Sequence, residues 1–120
     1  MTVSDAAAQA EPPKCPPVGP FGYDRGDRGA NITWRTCDEQ KTTLHALCGH
    51  ELSLVVNFYG WCTSCYRYLD AADALQTTYG PSGLKTVIVV TENAVTEDAD
   101  GAYCDEILGR LKSDATVVYD

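Results

Sequence analysis

The stretch Leu52-Ser53-Leu54-Val55-Val56-Asn57-Phe58-Tyr59-Gly60-Trp61-Cys62-Thr63-Ser64-Cys65 decides the fold of this chain. Leu52–Tyr59 is a nearly continuous apolar run of strand length, as expected for a central strand covered on both faces. From Thr63 to Tyr79 the spacing turns helical, with Cys65, Leu69, Ala72 and Tyr79 near one face. Two cysteines therefore stand where a strand hands over to a helix. Cys62 falls at the helix N-terminus, where unpaired backbone N–H groups and the helix dipole favour a thiolate. A thiolate is the nucleophile of thiol–disulfide exchange, and thiols so placed are more acidic than free cysteine. Cys65 lies one turn on, within reach to close a ring with Cys62. An attacking thiol and a resolving thiol are the minimum equipment for passing two electrons as a disulfide.

Two other chemistries use the same spacing. A CxxC pair can be half of a zinc site, with Cys48, His45 or His50 supplying further ligands, or it can be an inert disulfide. The strand-to-helix setting favours redox chemistry, because zinc knuckles usually sit in short turns.

Val55-Val56-Asn57-Phe58-Tyr59-Gly60-Trp61-Cys62-Thr63-Ser64-Cys65 resembles the active-site stretch of the thioredoxin-like proteins, closest to the TlpA-type redoxin branch of extracytoplasmic thiol–disulfide oxidoreductases. The likeness runs from about Ile32 to Asp120. It implies that Cys62 attacks, Cys65 resolves and Trp61 shields the pair, flanked by Thr63 and Ser64. It implies no cofactor beyond the redox-active disulfide. The implied partners are disulfide- or thiol-bearing protein substrates and a redox partner protein. Asn57 to Cys62 is one residue shorter than the family spacing, and Asp70 stands where the family's helix carries a proline. The thioredoxin fold continues with a cis-proline loop, two antiparallel strands and a last helix. No proline follows Pro81, so the resemblance implies a truncated chain. One sheet edge would then be left open to pairing with another copy.

The expected fold is α/β and thioredoxin-like: an N-terminal β-hairpin followed by a βαβαβ parallel core with right-handed crossovers. Residues 1–20 read as a disordered, proline-rich arm, and residues 21–120 as the partial domain; Phe21–Ala30 is loop. Asn31–Thr36 alternates as a strand, Cys37–Gln40 turns, and Lys41–Leu44 returns. His45–Gly49 reads as a helical turn ended by Gly49. After the active-site helix, Leu84–Thr91 is a second buried strand. Glu92–Asp98 is a polar loop. Ala99–Lys112 is a second helix with Tyr103, Ile107, Leu108 and Leu111 on its apolar face, and Ala115–Tyr119 is a third strand.

The chain has 120 residues, enough for one modest core, with 44% apolar and 22% charged residues. Its net charge of −8 argues against nucleic acid and against anionic membrane surfaces. No stretch is long enough to span a bilayer. Six cysteines fit an oxidising compartment, and with the resemblance they point to a periplasmic or secreted protein. No signal peptide is seen in this sequence. Cys15, Cys37, Cys48 and Cys104 are structural disulfide candidates. The short loop makes Cys37–Cys48 the first expectation, which leaves Cys15 for Cys104.

Among other residues, His45 and His50 read best as surface or loop histidines, and Tyr66 and Tyr68 as packing groups. Arg67 lies near the pair, and Glu92, Glu97, Asp98 and Asp100 form an acidic loop without EF-hand spacing. Two competing functions stand beside the oxidoreductase. One is a non-catalytic, disulfide-stapled binding domain. The other is a peroxiredoxin-like peroxidase, which ranks low because Thr63-Ser64-Cys65 lacks the Thr-x-x-Cys spacing.

Overall fold

In the computed structural model, which describes residues 15–120, Leu84–Glu92 is the strand buried from both sides. Val87, Ile88, Val89 and Val90 are all inside. The elements run β1 (Thr33–Thr36), β2 (Lys41–Thr43), a 3-10 turn (Leu44–Leu47), β3 (Leu52–Tyr59) and α1 (Thr63–Tyr79). A second 3-10 turn (Gly80–Ser82), β4 (Leu84–Glu92), α2 (Gly101–Leu108) and β5 (Thr116–Tyr119) follow. They form one five-stranded sheet in the order β2-β1-β5-β4-β3. The β3–β4 and β4–β5 pairs are parallel, whereas β1 pairs antiparallel with both β2 and β5.

Side-chain alternation along the strands splits the interior in two. Ile88, Val90, Phe58 and Val117 meet Leu69 and Ala72 of α1 and Cys104 and Ile107 of α2. Val87, Val89 and Val118 point the other way and pack with Trp34, under Leu44 and Leu47 of the 3-10 turn. Each such aliphatic or aromatic side chain stabilises the fold by about 1.5–3 kcal/mol.

The structure corrects several expectations. β3 is at the edge of the sheet, not its centre, and only Phe58 in it is buried. Leu52 is 65% exposed and Val55 40%. Apolar continuity alone does not separate a central strand from an edge strand, since strand order is set by long-range pairing. The sheet is mixed because the hairpin joins it through β1. On α1 the buried face is Leu69, Ala72 and Gln76, with Tyr79 exposed. On α2 it is Gly101, Cys104 and Ile107, with Leu108 partly exposed.

α2 is also shorter than the expected Ala99–Lys112. Asp100 caps it, its Oδ1 accepting from Tyr103 N–H at 2.8 Å. At the other end the Asp73 carboxylate accepts from the backbone N–H groups of Lys112 and Ser113 at 2.9–3.2 Å, which diverts those donors from a helical ladder. Burial raises the Asp73 carboxyl, but the Ser113 side chain, these backbone donors and the Lys112 charge outweigh it and hold it below its ordinary value of 3.8.

Cys37 is bonded to Cys104, with Cα atoms 5.1 Å apart, in place of the expected Cys37–Cys48 and Cys15–Cys104 pairings. Loop length misled the expectation. The antiparallel β1–β5 pair brings the hairpin turn over α2, and Gly101 lets them close up: a Cβ there would lie 2.6 Å from Cys37 O. A bridge spanning 67 residues contributes about 2–4 kcal/mol by restricting the unfolded chain. Among the described residues no cysteine is free.

The described residues fall into two compact units, one ending at Ala30 and one spanning Asn31–Asp120. In the first, Gly22 N–H donates to Arg28 O at 3.0 Å, and the Arg28 guanidinium donates to Val18 O at 2.7 Å. Residues 1–14 of the expected arm lie outside the described residues.

Candidate active site

β3 and α1 meet at a four-residue turn. Cys62 N–H donates to Tyr59 O at 3.0 Å, and Gly60 N–H donates to Glu92 O at 2.9 Å. Cys62 is the N-cap of α1: its backbone is extended, and its Sγ accepts from Cys65 N–H at 3.2 Å. Ser64 Oγ lies 3.4 Å from the same sulfur. The first turn of the 17-residue helix contains no acidic residue. In the reduced protein, negative charge on Cys62 would therefore meet a backbone donor, a hydroxyl and the positive end of the helix, with no carboxylate in that turn to oppose it.

Cys62 and Cys65 are at disulfide distance, with Cα atoms 5.2 Å apart. Both are partly buried, and Cys65 packs against the apolar cluster beneath the sheet's helical face. Thr63 is exposed. Trp61 is half exposed, its ring 5.6 Å from that of Tyr59. Its indole N–H donates to Glu92 Oε1 at 2.8 Å.

The sheet is irregular beside this turn. Phe58 pairs with Val90 but Tyr59 pairs with Glu92, so Thr91 is an extra residue on the β4 side. This bulge brings Glu92 level with the turn. Sequence reasoning assigned Glu92 to an acidic loop and missed its role, because the β3–β4 register is not written in either strand alone. α1 runs unbroken through Asp70.

Tyr66 was expected only to pack. It does stand edge-on to Phe58, with centroids 5.0 Å apart, and the Arg110 guanidinium lies 4.9 Å over its ring. Its hydroxyl also donates to Gly60 O at 2.9 Å. Tyr103 comes from α2 to the same place, its hydroxyl lying beside the Gly60 α-carbon. Burial first, then the neighbouring Tyr66 hydroxyl, pushes its hydroxyl up to about 12.

The other candidates are dispersed. His50 is exposed, and His45 lies within the 3-10 turn, its backbone N–H donating to Asn31 Oδ1. Asp100 caps α2 and Glu92 holds Trp61. Among the described residues no group of three or more His, Cys, Asp or Glu side chains is arranged to hold a metal ion. Among them, too, no helix is long and apolar enough to cross a membrane.

No protein-family model matches the chain, and no curated protein matches its sequence. Solved structures do match its fold. One is named as a thiol:disulfide interchange protein DsbE from Chlorobium tepidum, with a TM-score of 0.63 at 19% identity over 82% of this chain. Two are named as thiol-disulfide oxidoreductases from Bacteroides vulgatus, with TM-scores of 0.62 and 0.56 at 17% and 13% identity over 79% and 80% of this chain. The match spans 64%, 62% and 60% of those proteins' own lengths. With a mixed sheet, two helices on one face and a CxxC at the β3–α1 turn, the chain has the thioredoxin-like fold of the thiol–disulfide oxidoreductase structures.

Proposed function

We propose that this chain is a thiol–disulfide oxidoreductase acting on protein disulfides through Cys62 and Cys65. The observation that carries this reading is the Cys62 sulfur at the N-cap of α1, accepting from Cys65 N–H, with Cys65 at disulfide distance. In the reduced state the Cys62 thiolate attacks one sulfur of a substrate disulfide. That S–S bond breaks, a Cys62–substrate mixed disulfide forms, and the other substrate sulfur leaves as a thiolate. Cys65, once deprotonated, attacks the Cys62 sulfur and releases the second substrate thiolate. Two electrons pass from the pair to the substrate, and the two protons given up by the pair end on the substrate thiols. A dithiol redox partner protein restores the reduced pair by the reverse exchange. No further cofactor enters this scheme.

The cysteine usage and the DsbE-type fold support an extracytoplasmic setting, periplasmic or secreted. The exposed edge of β3 supports self-association by strand pairing.

Insulin reduction by a dithiol tests the proposal. The native chain should accelerate it well above the rate of Cys62→Ser. Equal rates would sink the enzyme reading and leave a disulfide-stapled binding domain.

A further inference from the structure

The turn that carries Cys62 is held by more than its own backbone. Gly60 is buried, and a Cβ there would collide with Tyr103 Oη while lying 2.8 Å from Ala94 N and from Asn93 C. Glycine is thus required because a tyrosine hydroxyl and the 93–94 peptide occupy the space beside its α-carbon. The Gly60 carbonyl in turn accepts the Tyr66 hydroxyl at 2.9 Å. The two tyrosines come from different helices, Tyr66 from α1 and Tyr103 from α2, and their hydroxyls converge on Gly60. Phe58 and Arg110 pack on the Tyr66 ring from the β3 strand and the segment after α2.

We propose that Tyr66 and Tyr103 are positioning residues for the redox pair, one hydroxyl bonded to the Gly60 carbonyl and the other packed beside its α-carbon, so that Cys62 stays seated over the first turn of α1. This rests on the oxidoreductase reading above. Neither hydroxyl needs to touch a sulfur. Gly60 is two residues from Cys62, and its peptide leads directly into the backbone that aims Sγ at Cys65 N–H. Tyr103 keeps its proton through the neutral range, so the grip does not loosen as pH changes there. Removing the Tyr66 hydroxyl leaves the Gly60 carbonyl short of a bond, and removing the Tyr103 hydroxyl opens space beside the Gly60 α-carbon; either frees the turn. The Cys62 thiolate then loses alignment with its donor. The reduced form is stabilised less, and the pair becomes a weaker oxidant.

Tyr66→Phe and Tyr103→Phe test this, because each keeps its ring and loses only the hydroxyl. The parent and both variants are equilibrated in glutathione buffers and quenched in acid. The redox state of Cys62 and Cys65 is then read by mass spectrometry of the peptide that contains them. In both variants the equilibrium should move toward the protein disulfide by roughly three- to tenfold. A purely structural role would lower thermal stability without moving this constant. Constants within about twofold of the parent in a variant that keeps the parent's circular dichroism overturn the proposal and leave the oxidoreductase reading intact. A parent whose Cys62–Cys65 pair does not exchange with glutathione overturns both.

Discussion

The indole N–H of Trp61 donates to the Glu92 carboxylate at 2.8 Å, across the bulge that joins the ends of β3 and β4. This bond holds a half-exposed aromatic ring next to the cysteine pair. Glu92→Ala should free the ring while leaving the fold intact. The anisotropy of the exposed tryptophan should fall, with buried Trp34 unchanged in Trp61→Phe as the control. Insulin reduction should fall by roughly two- to fivefold, since a hydrogen bond to a charged group contributes about 1.5–3 kcal/mol at most and less when partly exposed. An unchanged anisotropy would show that Glu92 does not restrain the ring.

Gln76 is a buried polar group whose every bond is structural. Its Nε2 donates to Leu84 O and to Asp114 Oδ1, each at 3.0 Å, and its Oε1 accepts from Thr86 N–H at 2.7 Å. One amide thus ties the end of α1 to the start of β4 and to the approach to β5. Gln76→Ala should lower unfolding free energy by about 2–4 kcal/mol, through lost packing and a buried Thr86 N–H left unsatisfied. Urea unfolding measures this. A loss below about 1 kcal/mol would mean that water replaces the amide.

Asp73 gives a pH signature. Burial raises its pKa, but the hydrogen bonds from Ser113 and Lys112 and the Lys112 charge more than offset this, so the folded value lies below 3.8. A depressed carboxyl contributes stability that is present above the unfolded value and lost as pH falls through the folded one. The native chain should therefore exceed Asp73→Asn in stability by about 0.5–1 kcal/mol at neutral pH, a modest figure because solvent screens the site. That gap should close as pH drops below 3.8. A gap that persists at lower pH would assign the effect to shape rather than charge.

The outer edge of β3 is unpaired among the described residues and exposes Leu52 and Val55 without a charge from Leu52 to Tyr59. Such an edge is a template for another strand. Sedimentation should show concentration-dependent association of the native chain, and Val55→Lys should reduce it. A monomer at every concentration would refute edge pairing.

Much of this was legible in local sequence. The bounds of β3 and α1 match the reading at both ends, because the apolar run and the helical spacing change at one place, around Trp61-Cys62. The placement of Cys62 at a helix start followed from that change alone. What was not legible depends on partners distant in sequence. The edge position of β3, the Cys37–Cys104 bridge and the register that sets Glu92 beside Trp61 all follow from strand pairing across the sheet. Gln76, not Tyr79, is buried on α1, because the amide finds three partners that no pattern on α1 announces. The tyrosine pair was hidden for the same reason, since its members lie on different helices.

The most direct measurement is the alkylation rate of each cysteine in the reduced protein as a function of pH, read residue by residue by mass spectrometry. The predicted result is that Cys62 reacts as a thiolate well below the midpoint of about 8.5 expected of free cysteine, with Cys65 titrating higher. If Cys62 titrates like free cysteine, the start of α1 does not activate its sulfur, and the oxidoreductase reading is contradicted.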